Sequence, residues 1–336
     1  MTRQQELTKA NTQRVDLFHD FPFDPTYGYD LTALLAVGAP QAPADFTGFW
    51  RARHAAAREV QVAPRLGPVE HEADGIRVRR LTYVSVGGRR IGGWLTVPAD
   101  GRVTRGCVAT HGYGGREFPE LRLPPPGAAT IWPVLRGLGT ASRFPDIPER
   151  GGAHVLHGID ARETYVHGDC AADIWCAATA LLELIPEAAG GLSYHGASFG
   201  GGIGPLALPW DDRFRAATLV VPSFGNHPLR LTLPCAGSGE AVRERHVRDP
   251  RVARVLSYFD AATAAGLLDI PVHVGAAMFD PVVPPPGQFA IHNALPGTRE
   301  LFVLTAGHFG HPAAEVEASA LIAAQHRFLD THRQEG

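Results

Sequence analysis

The sequence predicts an α/β fold, a mostly parallel central sheet with helices on both faces. Three observations predict it. Short apolar strands alternate with helical stretches over most of the 336 residues, the pattern of a parallel sheet covered on both sides. A Gly196-x-Ser198-x-Gly200 turn stands between a strand-like segment and a run of small residues that opens a helix. Asp280 and His308 each stand just past the end of a later apolar strand. Those three side chains would gather at one sheet edge, where open α/β sheets place their sites.

Composition narrows the possibilities. One domain over residues 1–336 is expected, with an N-terminal extension and helix over 1–60 and a Pro/Gly-rich loop region over 116–168. Hydrophobic residues make up 45% of the chain, enough for a substantial core. The net charge of -3 comes with no basic run, which removes nucleic acid and anionic membranes as partners. No apolar run reaches the ~18 residues of a membrane span, and residues 1–16 are polar, without a signal core. Cys107, Cys170, Cys176 and Cys235 form no Cys-x-x-Cys pair and read as free, buried thiols of a cytoplasmic protein. The histidines show no His-Glu-x-x-His, and the pairs His154/His157 and His308/His311 lie in Gly-rich loops, so neither a metal nor another cofactor is expected.

In order along the chain, residues 1–44 read as irregular, with Pro22, Pro25, Pro40 and Pro43 against any helix. Asp45 reads as the N-cap of a helix through Phe49 and Trp50 to residue 60. Residues 76–82, 83–86 and 91–97 alternate as strands, with Gly87-Gly88 as a hairpin turn. A short strand over 106–110 runs into His111-Gly112-Tyr113-Gly114-Gly115. No Gly-Lys-Ser/Thr follows, so this loop is not a nucleotide cradle. A strand-to-loop passage is expected over 134–139. A helix over 169–184 is expected to bury one face. Strands over 216–221, 270–276 and 300–305 follow, with amphipathic helices over 238–268 and a closing helix over 313–329.

Gly-x-Ser-x-Gly at a strand-to-helix turn is the nucleophile elbow of the α/β-hydrolases, and Ser198…Asp280…His308 is their chain order. The chemistry needs these residue types. A serine hydroxyl is a weak nucleophile until a neutral histidine takes its proton. A carboxylate then fixes the tautomer and stabilises the imidazolium. Asp260 and Asp269 are weaker choices for the acid, since one lies in a helical context and the other precedes its strand.

The chain resembles the acetyl xylan esterase/cephalosporin C deacetylase family of carbohydrate esterases. Asp45-Phe46-x-x-Phe49-Trp50, Arg90-Ile91-x-Gly93-Trp94, His111-Gly112-Tyr113, Arg136-Gly137, Ser257-Tyr258-Phe259-Asp260 and Asp280-x-x-x-Pro284-Pro285 carry the resemblance. It implies Ser198 as nucleophile, Asp280 as orienting acid and His308 as base. It also implies an oxyanion hole of the Tyr113 and Phe199 backbone amides, and a hexamer. Three departures stand out. Phe199 replaces the family's Gln after the nucleophile, Leu138 replaces the Gln of Arg-Gly-Gln, and Phe309 replaces the Glu of His-Glu. They suggest a more apolar pocket, with Tyr113, Phe199 and Phe309 touching substrate.

The expected function is removal of small acyl groups, acetyl foremost, from a hydroxylated small molecule. A general short-chain carboxylesterase or an amidase/peptidase of the same fold is one alternative. A non-catalytic binding protein on a hydrolase scaffold is the other.

Overall fold

The computed structural model describes residues 17–332. Nine strands form one sheet: β1 (Arg65–Ala73), β2 (Ile76–Ser85), β3 (Arg89–Pro98), β4 (Arg105–Ala109), β5 (Ala128–Pro133), β6 (Leu192–Ala197), β7 (Phe214–Val220), β8 (Val272–Phe279) and β9 (Arg299–Ala306). Their order is β1-β2-β3-β5-β4-β6-β7-β8-β9. β1, β2, β3 and β5 pair antiparallel in turn, and every pairing from β5 to β9 is parallel. The chain leaves β4 to form β5 on one side and later β6 on the other. That reversal opens a crevice at the carboxyl ends of β4 and β6.

The helices that matter here are α1 (Leu31–Leu35), α2 (Phe46–Arg58), α3 (Val166–Leu184), α4 (Phe199–Ala207), α5 (Gly239–Arg248), α6 (Pro285–Ala294) and α7 (Ala314–Thr331). α3 starts three residues before its predicted beginning and buries 14 of its 19 residues rather than one face. The reason is a second helical layer. Trp50 of α2 lies edge-on to Trp175 of α3 at 6.4 Å, and both are buried. Burying a large apolar side chain contributes about 1.5–3 kcal/mol. Each indole N–H also finds a carbonyl, Tyr258 O for Trp50 and Ala207 O for Trp175.

Other expectations need correcting. Residues 17–44 are not wholly irregular, because Asp30 caps α1 by accepting from Ala33 N at 2.8 Å. Asp45 precedes α2 but makes no cap bond; its carboxylate instead meets Arg162 at 2.7 Å and the Tyr258 hydroxyl. The segments 76–82 and 83–86 form one strand, β2, which ends at Ser85, with Val86 in the turn that follows. The passage expected at 134–139 is loop, its strand being β5 just before. β1 is a strand that the residue pattern of 65–73 does not announce. The four cysteines are free and buried. No helix among the described residues is long and apolar enough to cross a membrane.

Candidate active site

The site lies at the carboxyl ends of β4, β6, β8 and β9. Ser198 is the residue between β6 and α4 and has φ 53°, ψ −112°. A non-glycine residue held there stores about 1–3 kcal/mol of strain. The surroundings enforce it: Ser198 N donates to Val220 O at 2.8 Å, and Ser198 O accepts from Ser223 N and Gly202 N at 3.0 Å each. The flanking glycines answer to close approach. A Cβ on Gly196 would lie 2.6 Å from Gly200 O, and one on Gly200 would lie 2.2 Å from Thr110 Oγ1.

His308, two residues past β9, bridges the constellation. Its Nε2 is 2.9 Å from Ser198 Oγ and its Nδ1 is 2.8 Å from Asp280 Oδ2. Asp280 is fully buried just past β8. Its Oδ1 accepts from Val282 N and Val283 N, each at 2.9 Å. Its Oδ2 accepts a further bond, from Gln288 Nε2 of α6 at 2.9 Å. Gln288 is itself fully buried, accepts from Ala277 N at 2.9 Å and donates to Val283 O at 2.7 Å. The carboxylate thus has every lone-pair direction engaged, which fixes its orientation. The structure brings Ser198, Asp280 and His308, the three residues the sequence points to, into one hydrogen-bonded row, and adds Gln288, which the sequence does not single out.

The two alternative acids do other work. Asp260 is buried and accepts from Thr263 N at 2.9 Å and His227 N at 2.6 Å, capping a short helix. Asp269 is exposed, ahead of β8.

The loop after β4 meets the nucleophile directly. A Cβ on Gly112 would lie 3.4 Å from Ser198 Cβ. His111 holds the loop in shape: Nε2 accepts from Leu135 N at 3.0 Å, so Nδ1 carries the proton and donates to Gly112 O at 2.7 Å. Burial pushes the His111 pKa down to about 3, keeping it neutral. Gly200 N donates to His111 O at 3.0 Å and ties this loop to the first turn of α4. Phe199 is the first residue of α4, so its N–H has no intrahelical acceptor. The Phe199 N–H, directly after Ser198, thus stands at a helix N-terminus, where developing negative charge is favoured.

The departures from the family pattern divide. Phe199 is fully buried, its ring 4.3 Å from Tyr113 and 5.8 Å from Phe224. Its ring is packed into the core, which gives no support to the expected Phe199 side-chain contact with substrate. Leu138 is likewise interior, and both belong to the main core. Phe309 alone stays near the surface, half-buried beside His308. Tyr113 is half-buried, its hydroxyl 3.0 Å from His167 Nε2.

Arg136, in the family-like Arg-Gly pair, is structural. It donates to Asp173 and Asp169, with Nη1 to Asp169 Oδ2 at 2.8 Å. Burial alone would lower its pKa, but the two carboxylates outweigh that and hold it raised. Among the described residues no three His, Cys, Asp or Glu side chains gather to hold a metal ion.

A parallel sheet with a strained serine after a central strand, answered by a histidine and a buried aspartate at later strand ends, defines a serine hydrolase of the α/β-hydrolase class. The family model for acetyl xylan esterase (AXE1) matches residues 36–321, and the chain belongs to that family. It is a serine carboxylic ester hydrolase. Among solved structures it is similar to the acetyl xylan esterase of Paenibacillus sp. R4, with 22% identity, TM-score 0.75, 88% of this chain and 99% of that one covered. The acetyl xylan esterase 1 of Thermoanaerobacterium sp. JW/SL YS485 matches with 20% identity, TM-score 0.74, and coverage of 90% and 99%. The acylaminoacyl peptidase of Pyrococcus horikoshii matches more distantly, at 13% identity and TM-score 0.59, over 83% of this chain and 44% of that one.

Proposed function

We propose that the chain removes acetyl groups from a hydroxylated small molecule, an acetylated sugar or secondary metabolite, with Ser198, His308 and Asp280 in the triad roles. The observation that carries this reading is the His308 bridge, 2.9 Å to Ser198 Oγ and 2.8 Å to Asp280 Oδ2. Ser198 Oγ attacks the ester carbonyl carbon while its proton passes to His308 Nε2. The Tyr113 and Phe199 amides hold the tetrahedral oxyanion, often the largest single catalytic contribution. Collapse expels the alcohol, which takes the proton from His308. Water, deprotonated by His308, then releases acetate and restores Ser198.

A fluorophosphonate probe should label the wild-type protein, and Ser198→Ala should abolish both labelling and p-nitrophenyl acetate turnover. A kcat loss of about 10⁴ or more is expected for a triad nucleophile. Retention of above roughly a tenth of the wild-type rate would remove Ser198 from this role. Faster turnover of aminoacyl anilides than of acetate esters would favour the amidase alternative.

The four free, buried cysteines support a reducing, cytoplasmic compartment. The family resemblance supports a homo-hexamer, with residues 90–98 and 116–130 as candidate interface. Light scattering showing a monomer at micromolar concentration would refute that assembly.

A further inference from the structure

When the acyl-enzyme forms, the proton on His308 Nε2 goes to the leaving alcohol oxygen, so the alcohol half of the ester lies against the base. The side chains flanking His308 therefore bear on which alcohols fit. Phe309 follows His308 directly, and its ring packs 5.1 Å from Phe279 and edge-on to Phe21 at 6.1 Å. Phe21 stacks on Phe23 at 5.8 Å, and Phe23 stacks on Tyr27 at 5.8 Å. His19 closes the row, 5.4 Å from Phe279.

These rings come from chain segments far apart in sequence. The N-terminal segment runs past the carboxyl edge of the sheet and is tied there. Asp280 N donates to Pro25 O at 3.1 Å, and the Tyr27 hydroxyl donates to Pro234 O at 2.7 Å. Phe279 is buried and anchors the row, whereas Phe21, Phe23, Tyr27 and Phe309 are only half-buried. Half-exposed aromatic faces, fixed by their neighbours and adjoining a catalytic base, suit stacking against a flat apolar surface.

We propose that this aromatic bank binds the leaving-alcohol half of the ester and selects alcohols that carry a ring. The inference rests on the esterase reading of Ser198 and His308. Two ring chemistries share the required face, an aryl ring and the C–H face of a pyranose.

The test is the selectivity of Phe21→Ala and Phe309→Ala among three acetates: 1-naphthyl acetate, peracetylated methyl xyloside and ethyl acetate. Phe21 is included because its replacement leaves the residue next to His308 untouched. The ratio of kcat/KM for a ring acetate to that for ethyl acetate should fall about 3–10-fold, the size of one aromatic contact, with the change mainly in KM. A larger fall for naphthyl acetate assigns the bank to aryl alcohols; a larger fall for the xyloside assigns it to sugars. A ratio unchanged in both variants, or an equal loss on all three esters, overturns the proposal. Turnover of ethyl acetate that survives Ser198→Ala would instead overturn the hydrolase reading, so the two failures are distinct.

Discussion

Gln288 Nε2 donates to Asp280 Oδ2 at 2.9 Å, and that same oxygen faces His308 Nδ1 at 2.8 Å. Two donors therefore share one carboxylate oxygen in a fully buried setting. The amide takes part of the negative charge that would otherwise stabilise protonated His308. It also orients the carboxylate through two anchors of its own, Ala277 N and Val283 O.

Gln288→Met keeps most of the volume and removes the donor. With one donor fewer, the carboxylate favours the imidazolium more, so the acid limb of kcat/KM should move to higher pH. The Ala277 N–H and Val283 carbonyl would lose their partner, at a cost of about 1–3 kcal/mol in stability. A pH–rate profile alongside urea unfolding separates the effects. Lower stability with an unmoved acid limb would reduce Gln288 to a packing residue.

Phe199→Gln restores the residue the family usually carries after the nucleophile. Because the Phe199 ring is fully buried among Tyr113, His154, His167 and Phe224, the change puts a polar amide into a fully buried aromatic site. We expect a loss of about 2–4 kcal/mol in unfolding free energy, from lost apolar burial plus desolvation of the amide. Wild-type stability together with a new alcohol preference would show that the side chain reaches substrate.

The triad was readable because each member sits within three residues of a strand end, and chain order is a local signal. What stayed hidden depends on contacts between distant segments. β1 escaped because Arg65–Ala73 is almost wholly solvent-facing; its pairing with β2, not its own periodicity, makes it a strand. Gln288 escaped because nothing in a proline-led helix start says that an amide eight residues on will turn back to Asp280. The orientation of Phe199 is set by His167 and Phe224, which come from a helix and a loop elsewhere in the chain. The apolar substitutions at 138 and 199 suggested a greasy pocket, whereas the structure puts both in the core.

Buried histidines set the acid limit of stability. Burial pushes His111, His195 and His227 down to about 3, and His154 and His273 down to about 4. These folded values lie below the ~6.5 of an unfolded histidine. Between the two, the unfolded chain holds protons that the native chain does not, so stability is full above ~6.5 and falls as the pH drops toward the folded values. Each such histidine contributes a slope of about 1.4 kcal/mol per pH unit in that window. His273 is the cleanest site for a test, since neither ring nitrogen has a hydrogen-bond partner and Phe328 packs 5.6 Å away. His273→Leu should flatten the slope by one histidine's share, read by urea unfolding between about pH 7 and about pH 5. An unchanged slope would mean that His273 takes up no extra proton on unfolding.

Acyl length is the remaining question, and the loop after β4 bears on it. Gly112 runs close past Ser198: a Cβ added to it would lie 3.4 Å from Ser198 Cβ and 3.8 Å from Ser198 Oγ. Tyr113 cannot swing aside. Its ring packs 4.3 Å from Phe199 and its hydroxyl lies 3.0 Å from His167 Nε2, and the His111 bonds fix the backbone on its N-terminal side. With Phe199 turned into the core, Tyr113, the residue after Gly112, is the candidate wall of the acyl side, and its contacts hold it rigid. Each methylene gained or refused by such a pocket changes discrimination by about 1–3 kcal/mol. The ratio kcat/KM should therefore fall steeply from acetyl through butyryl to octanoyl p-nitrophenyl esters. Tyr113→Ala should lower the acetyl rate and flatten this series, because it removes the ring while leaving the backbone amide in place. An optimum at butyryl or longer in the wild-type protein would show that the Tyr113 wall does not bound the acyl side, and would shift the activity from deacetylation toward general carboxylester hydrolysis.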